Sequence, residues 1–404
     1  MNIFRPQKPY VFRPPLYSRV WTPFLVQVSH RIMLARQFKT RVTHIAGLEQ
    51  VAALSKERHA VLIAPNHADH ADPHVLVNAA HRASVLFHFM AAREAFERGR
   101  IGAFALQRMG AFSVDREGAD VAAIKMAMRI LQEGEFPLVM FPEGEIYHHH
   151  EKLDELNEGV ATILLRAGTK LPEGKRSYVV PTALRYRHDP SVQATFGDRI
   201  SRLEERVTWK PRPHLDIIER IYHLGGGLIA LKEQEFLGHT LDAPLPERIA
   251  RFQDALVDPL EQTHGCAPRD GHIPDRVKAL RSRIRKQLVD NAEHLSESEA
   301  WHLYDDLDRL FVAVQLYSYP GQYLREDPSV DRIAETLLKL EEDVLGEGCY
   351  PVQREASVTF DEPLSVDAYL AEHALTVKTA VTPLTQYVAT RIQSLLNAGA
   401  WPSQ

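Results

Sequence analysis

One histidine and one aspartate stand five residues apart, after an apolar stretch, in the run Pro65–His74. Activating a hydroxyl group requires a base, and neutral imidazole takes up a hydroxyl proton near pH 7. A carboxylate on the other ring nitrogen holds the correct tautomer and stabilises the imidazolium that forms. His67 and Asp72 supply such a pair if a strand ends and a helix begins between them. The alternative is a polar loop in which Asp72 only caps the helix.

A second candidate is the run from Gly110 to Arg116, which begins a short apolar strand and ends on the arginine. A guanidinium grips phosphate or carboxylate through two parallel hydrogen bonds, so Arg116 is a candidate anion-binding residue. The other interpretation is a solvated or salt-bridged arginine at the end of a strand.

The third and fourth candidates also accompany apolar strands. Phe141–Gly144 reads Phe-Pro-Glu-Gly, in which Gly144 allows backbone N–H groups to approach a substrate and Glu143 can bind a polar group. Pro181 lies inside the apolar run Tyr178–Leu184. Because proline donates no ladder hydrogen bond, we expect that strand to begin there or to lie at a sheet edge.

The elements that must position these residues alternate between strands and helices. Strands are predicted at Thr40–Gly47, Ala60–Pro65, Val85–Met90, Ala111–Val114, Pro137–Phe141, Tyr178–Leu184 and Ala356–Phe360, and helices at Ala119–Gln132, Glu158–Ala167 and within Val366–Asn397. This alternation predicts an α/β fold with a mixed, mostly parallel sheet between helices. All four candidates lie beside strand ends, where such sheets bind their ligands.

Two other stretches differ in texture. Residues 1–45 contain eight Lys/Arg and no Asp or Glu, and residues 16–42 have the apolar spacing of an amphipathic helix that suits an anionic membrane surface. Residues 199–348 are charged and helical in pattern, with a capping box at Ser296–Glu299. We therefore expect a basic amphipathic membrane-contact segment at 1–42, an α/β core at 43–198, a large helical insertion at 199–348, and a strand and helices at 349–404 that complete the core.

Composition narrows the function class. A net charge of −5 argues against a general nucleic-acid binder. Two cysteines without a C-x-x-C motif favour a reducing cytosolic location. Apolar runs are too short to span a bilayer, so we expect contact with lipid from one side, peripheral to the inner membrane face.

Taken in order, the four motifs resemble those of the glycerolipid acyltransferases, including the 1-acylglycerol-3-phosphate acyltransferases. The resemblance covers residues 40–190 and extends to 355–400 as the end of the domain. It implies that His67 is the base and Asp72 its partner. It also implies that Arg116 and Glu143 bind the acceptor, while Gly110, Gly144 and Pro181 shape the site. The donor would be acyl-CoA or acyl-carrier protein, the acceptor a lysophospholipid or related lipid, and neither a metal nor a bound cofactor is needed.

This chain departs from the family pattern after Gly144. Many members continue with Thr-Arg, whose arginine helps to bind the acceptor phosphate, whereas Glu145 and Ile146 follow here. An acid at this place repels a phosphate monoester. A neutral, zwitterionic or amine-containing acceptor is therefore favoured over lysophosphatidate.

Two alternative functions stay open. The dense His/Asp cluster of residues 67–74, with three consecutive histidines at 148–150, is compatible with a metal-dependent hydrolase, although such a histidine run is more often a solvated loop. A non-enzymatic membrane-associated scaffold would use the basic N-terminus and the helical block. A serine hydrolase is disfavoured because the chain has no G-x-S-x-G motif.

Overall fold

A computed structural model describes residues 10–116, 120–266, 271–291, 294–319 and 321–398. The chain divides into two compact units. The α/β unit comprises residues 11–115, 120–189 and 350–404, and the helical unit comprises 1–10, 116–119 and 190–349. The first nine residues of the predicted membrane-contact segment lie outside the described ranges.

The α/β unit contains a sheet whose eight strands all lie in the described residues. They are β1 (Thr40–Ala46), β2 (Ala60–Pro65), β3 (His88–Ala92), β4 (Ala111–Val114), β5 (Leu138–Val139), β6 (Ser177–His188), β7 (Arg354–Phe360) and β8 (Leu364–Ser365). Their order is β1-β7-β6-β2-β5-β3-β4, with β8 paired to β6. Only the β6–β7 and β6–β8 pairs are antiparallel. The predicted mixed, mostly parallel α/β fold is confirmed.

The helices in the described residues are numbered along the chain. They are α1 (Trp21–Val28), α2 (Leu48–Lys56), α3 (Asp72–Arg82), α4 (Arg93–Glu97), α5 (Arg100–Arg108), α6 (Val121–Glu133), α7 (Gly159–Gly168), α8 (Gln193–Thr208), α9 (Ile217–Leu237), α10 (Leu245–Thr263), α11 (Ile273–Asp290), α12 (Glu297–Tyr317), α13 (Tyr323–Glu326), α14 (Val330–Leu345), α15 (Val366–Glu372) and α16 (Val381–Asn397). A π-helix at Ser29–Gln37 continues α1.

The sheet has a hydrophobic core on each face. Side chains of α6, α7, α15 and α16 pack on one face, and those of α2, α3 and the π-helix pack on the other. Strand β2 therefore lies between two cores, and all six of its residues are buried. Its unbroken apolar sequence is typical of an interior parallel strand. The chain leaves β2 at the carboxyl edge of the sheet after Pro65, and His67 follows two residues later.

Neither position predicted for Pro181 is correct, because β6 begins at Ser177 and is an interior strand. Pro181 pairs with Ala64 of β2 on one side. On the other side, β6 pairs with β8 through Tyr178 and Val179 and with β7 from Thr182 onwards. Pro181 thus falls where β6 changes partners, and its carbonyl accepts a hydrogen bond of 2.8 Å from the N–H of Asp361. A missing N–H is tolerated at such a break in the ladder.

The N-terminal segment differs from a single helix over 16–42. Residues 10–18 have no regular secondary structure, and Arg13 lies along the edge strand β4, where its carbonyl accepts from the Ser113 N–H at 3.0 Å. Helical structure runs from Trp21 to Gln37 and β1 then begins at Thr40. The lead-in therefore covers the edge strand, which protects its backbone groups from pairing with another chain.

The helical unit has a core of its own, built from α9, α10, α11 and α12. The predicted capping box is confirmed: Ser296 and Glu299 each accept from the other's backbone N–H at the start of α12. Among the residues that the structure describes, every helix is too short or too polar to cross a lipid bilayer.

Candidate active site

The loop that leaves β2 is anchored by its first residue. The side-chain amide of Asn66 donates to the carbonyl of Leu184 at 3.0 Å and accepts from the Leu184 N–H at 2.7 Å. The amide group thereby replaces a backbone peptide and extends the β2–β6 pairing beyond the end of β2. Because Asn66 is also 1% exposed, the starting point of the loop that carries His67 is fixed.

His67 and Asp72 meet as the sequence predicts. His67 Nδ1 lies 2.9 Å from Asp72 Oδ2, and the side chains are 14% and 0% exposed, respectively. Asp72 Oδ2 also accepts from the Asp69 N–H at 2.9 Å. A carboxylate acceptor assigns the proton to Nδ1, which leaves a lone pair on Nε2. No residue in the described ranges forms a hydrogen bond with Nε2. The pair therefore has the geometry of a general base with an orienting carboxylate.

The Phe-Pro-Glu-Gly turn supports His67 from the neighbouring strand β5. The ring of Phe141 stacks on the imidazole with centroids 3.9 Å apart. Glu143 Oε1 accepts from the His67 N–H at 2.6 Å, and Oε2 accepts from the Asp154 N–H at 3.1 Å. Burial raises the pKa of the Glu143 carboxyl well above its usual value. Both carboxyl oxygens thus face the chain's own backbone, and acceptor binding by Glu143 stays a prediction.

The turn itself depends on two further residues. Gly144 has a φ of 77°, which favours glycine. Its N–H donates to the carbonyl of Phe141 at 3.2 Å, so this N–H is already used. The side-chain amide of Asn157 donates to the carbonyls of Pro142 and Glu143 at 3.2 and 3.1 Å. The sequence reasoning missed Asn157, since a lone asparagine thirteen residues after the turn carries no pattern.

Gly110 lies at the amino end of β4, whereas His67 follows the carboxyl end of a strand in the same parallel region of the sheet. Its φ is 88°, and a Cβ there would lie 2.1 Å from the hydroxyl of Tyr17. The structure therefore does not bring Gly110 to His67, and the glycine makes room for a buried tyrosine instead.

Arg116 follows the last residue of β4 by two positions and is grouped with the helical unit. Asp120 closes the ends of this loop: its carboxylate accepts from the backbone N–H groups of Asp115 and Ala123 at 3.0 and 2.9 Å. Anion binding by Arg116 stays a prediction, and so does a site-shaping role for Pro181.

Residues remote in the sequence complete the surroundings of the pair. The hydroxyl of Tyr186 on β6 donates to Asp72 Oδ1 at 2.5 Å. Arg354 on β7 donates two hydrogen bonds of 2.8 Å to Asp69, in the His67 loop. Burial alone would raise the pKa of the Asp69 carboxyl, but the charge and hydrogen bonds of Arg354 bring it down to about 2. No local spacing pairs positions 69 and 354, so the sequence reasoning missed both Tyr186 and Arg354.

Three members of the His/Asp cluster contact different protein partners, and the ring of His70 lies 5.7 Å from that of His148. Asp69 binds Arg354, Asp72 binds His67 and Tyr186, and His74 Nδ1 lies 2.7 Å from Ser29 Oγ. Burial lowers the pKa of His74 to about 4. The prediction of a solvated loop at residues 148–150 was wrong, because all three histidines are 4% exposed or less. His149 Nε2 lies 2.9 Å from Asp154 Oδ2.

An imidazole with an open nitrogen, a buried carboxylate beside it and a loop at the carboxyl edge of a mostly parallel sheet form an arrangement that is capable of acid–base chemistry. Residues 42–185 match the family model described as Acyltransferase. The matched segment begins in β1 and ends in β6, so it includes the pair and the Phe-Pro-Glu-Gly turn. No curated protein shows significant similarity to the chain.

Proposed function

We propose that this chain transfers a fatty acyl group from acyl-CoA or acyl-carrier protein to a hydroxyl group of a lysophospholipid or related glycerolipid. The observation that carries the proposal is the open Nε2 of His67 beside a fully buried Asp72, within the segment that matches the acyltransferase family model. Nε2 takes the proton of the acceptor hydroxyl while the oxygen attacks the thioester carbonyl. A C–O bond forms, the C–S bond breaks, and the imidazolium returns its proton to the leaving thiolate.

The same geometry favours direct transfer over a covalent acyl-enzyme. Nε2 is the atom that meets the substrate, and the other nitrogen is occupied by Asp72 at 2.9 Å. A covalent route needs a protein nucleophile next to the base, and the sequence lacks the G-x-S-x-G motif. Donor and acceptor therefore bind together before the acyl group moves.

The acceptor we propose is neutral, zwitterionic or amine-containing. Glu145 follows the Phe-Pro-Glu-Gly turn and is half-buried. A carboxylate at this position disfavours a phosphate monoester, since the like charges repel in a site of reduced dielectric constant. Arg116 remains the proposed contact for an anionic group elsewhere in the acceptor.

Membrane contact is part of the proposal, because lipid acceptors reside in bilayers. On α1, Trp21 and Phe24 are 46% and 57% exposed, and on α5, Ile101 and Phe104 are 85% and 37% exposed. The rings of Trp21 and Phe104 meet at 5.4 Å, so the two helices form one apolar patch. The arginines at positions 19 and 100 are exposed beside it. Such a surface suits the inner face of an anionic membrane and extends the predicted 1–42 segment to α5.

An acyl-transfer assay read by mass spectrometry tests the activity. Purified protein receives acyl-CoA or acyl-carrier protein with a panel of lysolipids, glycerolipids and amino lipids, next to a His67→Ala control. We expect one acylated product that is absent in the variant. Folded protein that acylates none of these acceptors with either donor would refute the proposal.

Vesicle flotation tests the membrane patch. Deleting residues 1–38 is unsuitable, because Tyr17 fills the space beside Gly110 and Leu34 is 1% exposed in the core. The better variant is Trp21→Ser with Phe24→Ser, and we expect binding to anionic vesicles to fall about tenfold or more. The matched control is Trp209→Ser on the helical unit, where the indole is 90% exposed. Equal losses in both variants would contradict the proposed patch.

A further inference from the structure

Asp72 uses both of its carboxylate oxygens, and only one of them serves His67. Oδ2 contacts the imidazole and the Asp69 N–H at 2.9 Å each. Oδ1 accepts from the hydroxyl of Tyr186 at 2.5 Å. Tyr186 is 3% exposed and Asp72 is 0% exposed, so water does not compete for this bond. Tyr186 lies immediately beyond the segment that matches the acyltransferase family model, which ends at residue 185.

The direction of this hydrogen bond is set by the surroundings. Burial and the charge of Asp72 raise the pKa of the Tyr186 hydroxyl well above its usual value, so the hydroxyl remains a donor throughout the working pH range. A tyrosine donor to a buried carboxylate is a charge-assisted hydrogen bond, which is shorter and stronger than one between neutral groups. The bond therefore restricts rotation of the Asp72 carboxylate about its Cβ–Cγ axis.

Arg354 holds Tyr186 and the His67 loop together. Its guanidinium lies 4.3 Å from the centre of the Tyr186 ring and donates two hydrogen bonds of 2.8 Å to Asp69. Its Nε donates to Thr40 Oγ1 at 2.8 Å. The Asp69 N–H in turn donates to Asp72. Arg354 thus contacts both residues that hold Asp72 in place: it packs on the ring of Tyr186 and binds the side chain of Asp69.

We propose that Tyr186 is a positioning residue of the acyl-transfer reaction, which acts through Asp72 and is itself held by the buried Arg354–Asp69 ion pair. This inference rests on the proposed function. Tyr186 does not meet the substrate in this assignment. It keeps the Asp72 carboxylate aimed at Nδ1, so that Nε2 keeps its lone pair for the acceptor hydroxyl.

A chemical consequence distinguishes this role from packing alone. The Tyr186 hydroxyl withdraws negative charge from the Asp72 carboxylate. Without the hydroxyl, Asp72 attracts the imidazolium more strongly, and His67 holds its proton to higher pH. Other charged or titratable groups surround this loop: Glu143, Asp69, Arg354, Tyr350, His70, His148 and His150, whose ring lies 6.4 Å from that of Tyr186. A Tyr→Phe change at position 186 leaves all of them in place.

The test is Tyr186→Phe, read by NMR titration of His67 and by the pH dependence of acyl transfer. The His67 signal is assigned by its absence in His67→Ala. We expect the measured pKa of His67 to rise by about half a pH unit, and kcat at pH 7 to fall about fivefold with KM unchanged. Part of this loss should be recovered at higher pH, because His67 is then deprotonated again.

The helical unit offers a matched control in Tyr319, whose hydroxyl donates to Asp343 Oδ2, also at 2.5 Å. Tyr319→Phe also removes a tyrosine–carboxylate hydrogen bond, here to an exposed aspartate, and the titration of His67 should stay as in the wild-type protein. Arg354→Lys is the second active-site variant. It keeps the charge but loses the two-point grip on Asp69, and we expect a change of the same sign in the His67 titration.

The two readouts separate the possible failures. A wild-type His67 titration and pH profile in both Tyr186→Phe and Arg354→Lys would overturn the positioning role, even if activity fell. The NMR titration needs no acyl donor. A shifted His67 titration in a protein without any acyl-transfer activity would therefore refute the proposed function and leave the coupling of Tyr186 to His67 intact.

Discussion

The two units each contain a histidine–aspartate pair, and the pairs differ in which partner is buried. In the α/β unit, Asp72 is fully buried and the His67 side chain is 14% exposed. In the helical unit, His264 Nε2 lies 2.8 Å from Asp306 Oδ2, but the histidine is 5% exposed and the aspartate 18%. A base must present a nitrogen to its substrate, so only the first pair has the orientation that catalysis needs. The comparison teaches that a close His–Asp contact is not by itself a catalytic site.

The buried arginine–carboxylate pairs show the same contrast. Within the helical unit, four arginines each grip one carboxylate with two hydrogen bonds: Arg199–Glu341, Arg220–Glu204, Arg248–Glu233 and Arg276–Glu261. These pairs join helix to helix. In the α/β unit, Arg354–Asp69 is equally well paired, but it continues through Asp72 to His67. A buried ion pair can support chemistry only if its hydrogen bonds connect to an atom that a substrate can reach, such as Nε2 of His67.

The largest expected effect separates the two His–Asp pairs. His67→Ala should lower kcat about 10⁴-fold, because the base is lost, with little change in the free energy of unfolding. His264→Ala should leave kcat unchanged and lower that free energy by about 2 kcal/mol, since a buried polar contact is removed. Steady-state kinetics and urea unfolding check both variants. The comparison breaks if His264→Ala abolishes turnover in folded protein.

The next prediction concerns an ion pair of the helical unit. Arg199→Met leaves Glu341 buried without its partner, and we expect the free energy of unfolding to fall by about 4 kcal/mol. Arg199→Met with Glu341→Leu should recover most of that loss, because no buried charge remains. Urea unfolding gives the numbers, and turnover of the folded fraction should stay unchanged. If the double variant is as unstable as the single one, the contacts of the ion pair themselves stabilise the fold, and the unpaired charge of Glu341 is not the cause of the loss.

Substitutions at two separate glycines of the α/β unit distinguish residues that form the site from residues that only support the fold. Gly110→Ala places a Cβ 2.1 Å from the Tyr17 hydroxyl at a φ of 88°, and we expect a loss of about 2 kcal/mol in stability. Gly102→Ala meets no atom within 4 Å and lies in α5, so it should stabilise by about 0.5 kcal/mol. Turnover per folded molecule should be normal in both. Selective loss of acceptor affinity in Gly110→Ala would restore the predicted site role.

The last prediction concerns a third histidine–aspartate pair, His149–Asp154. Burial raises the pKa of the Asp154 carboxyl to about 6, above the value of about 4 expected in the unfolded chain. The native state therefore binds the extra proton. The stability it provides is present below about pH 4 and is lost as the pH rises through about 6, by up to about 2 kcal/mol. Asp154→Asn should remove this dependence in urea unfolding. The opposite result would be a free energy of unfolding that rises from about pH 4 to about pH 6 in the wild-type protein relative to the variant. It would show that His149 and Asp154 form a charged pair.

Much of the fold was predictable because apolar alternation reports which residues are buried. The strands Ala60–Pro65 and Ala111–Val114 were predicted to the residue. β3 was misplaced: apolar Val85 and Leu86 suggested an earlier start, but hydrogen bonding to β5 and β4 begins at His88 and Phe89. Pro181 was expected at a strand start or at a sheet edge, because proline has no N–H to donate to the ladder. Its interior place depends on the β7–β8 connection, which lies far along the chain.

For the site, the sequence by itself determined the His67–Asp72 pair and the Phe-Pro-Glu-Gly turn, because a strand end followed by a helix brings residues five apart together. Only the tertiary structure decided that Tyr186 and Arg354 hold this pair, across separations of 114 and 285 residues. The same applies to Glu143, whose carboxyl faces the His67 backbone. Hydrophobic periodicity encodes which face of an element is buried. The pairing of buried polar groups follows from strand order and register, since each must find a partner once water is excluded.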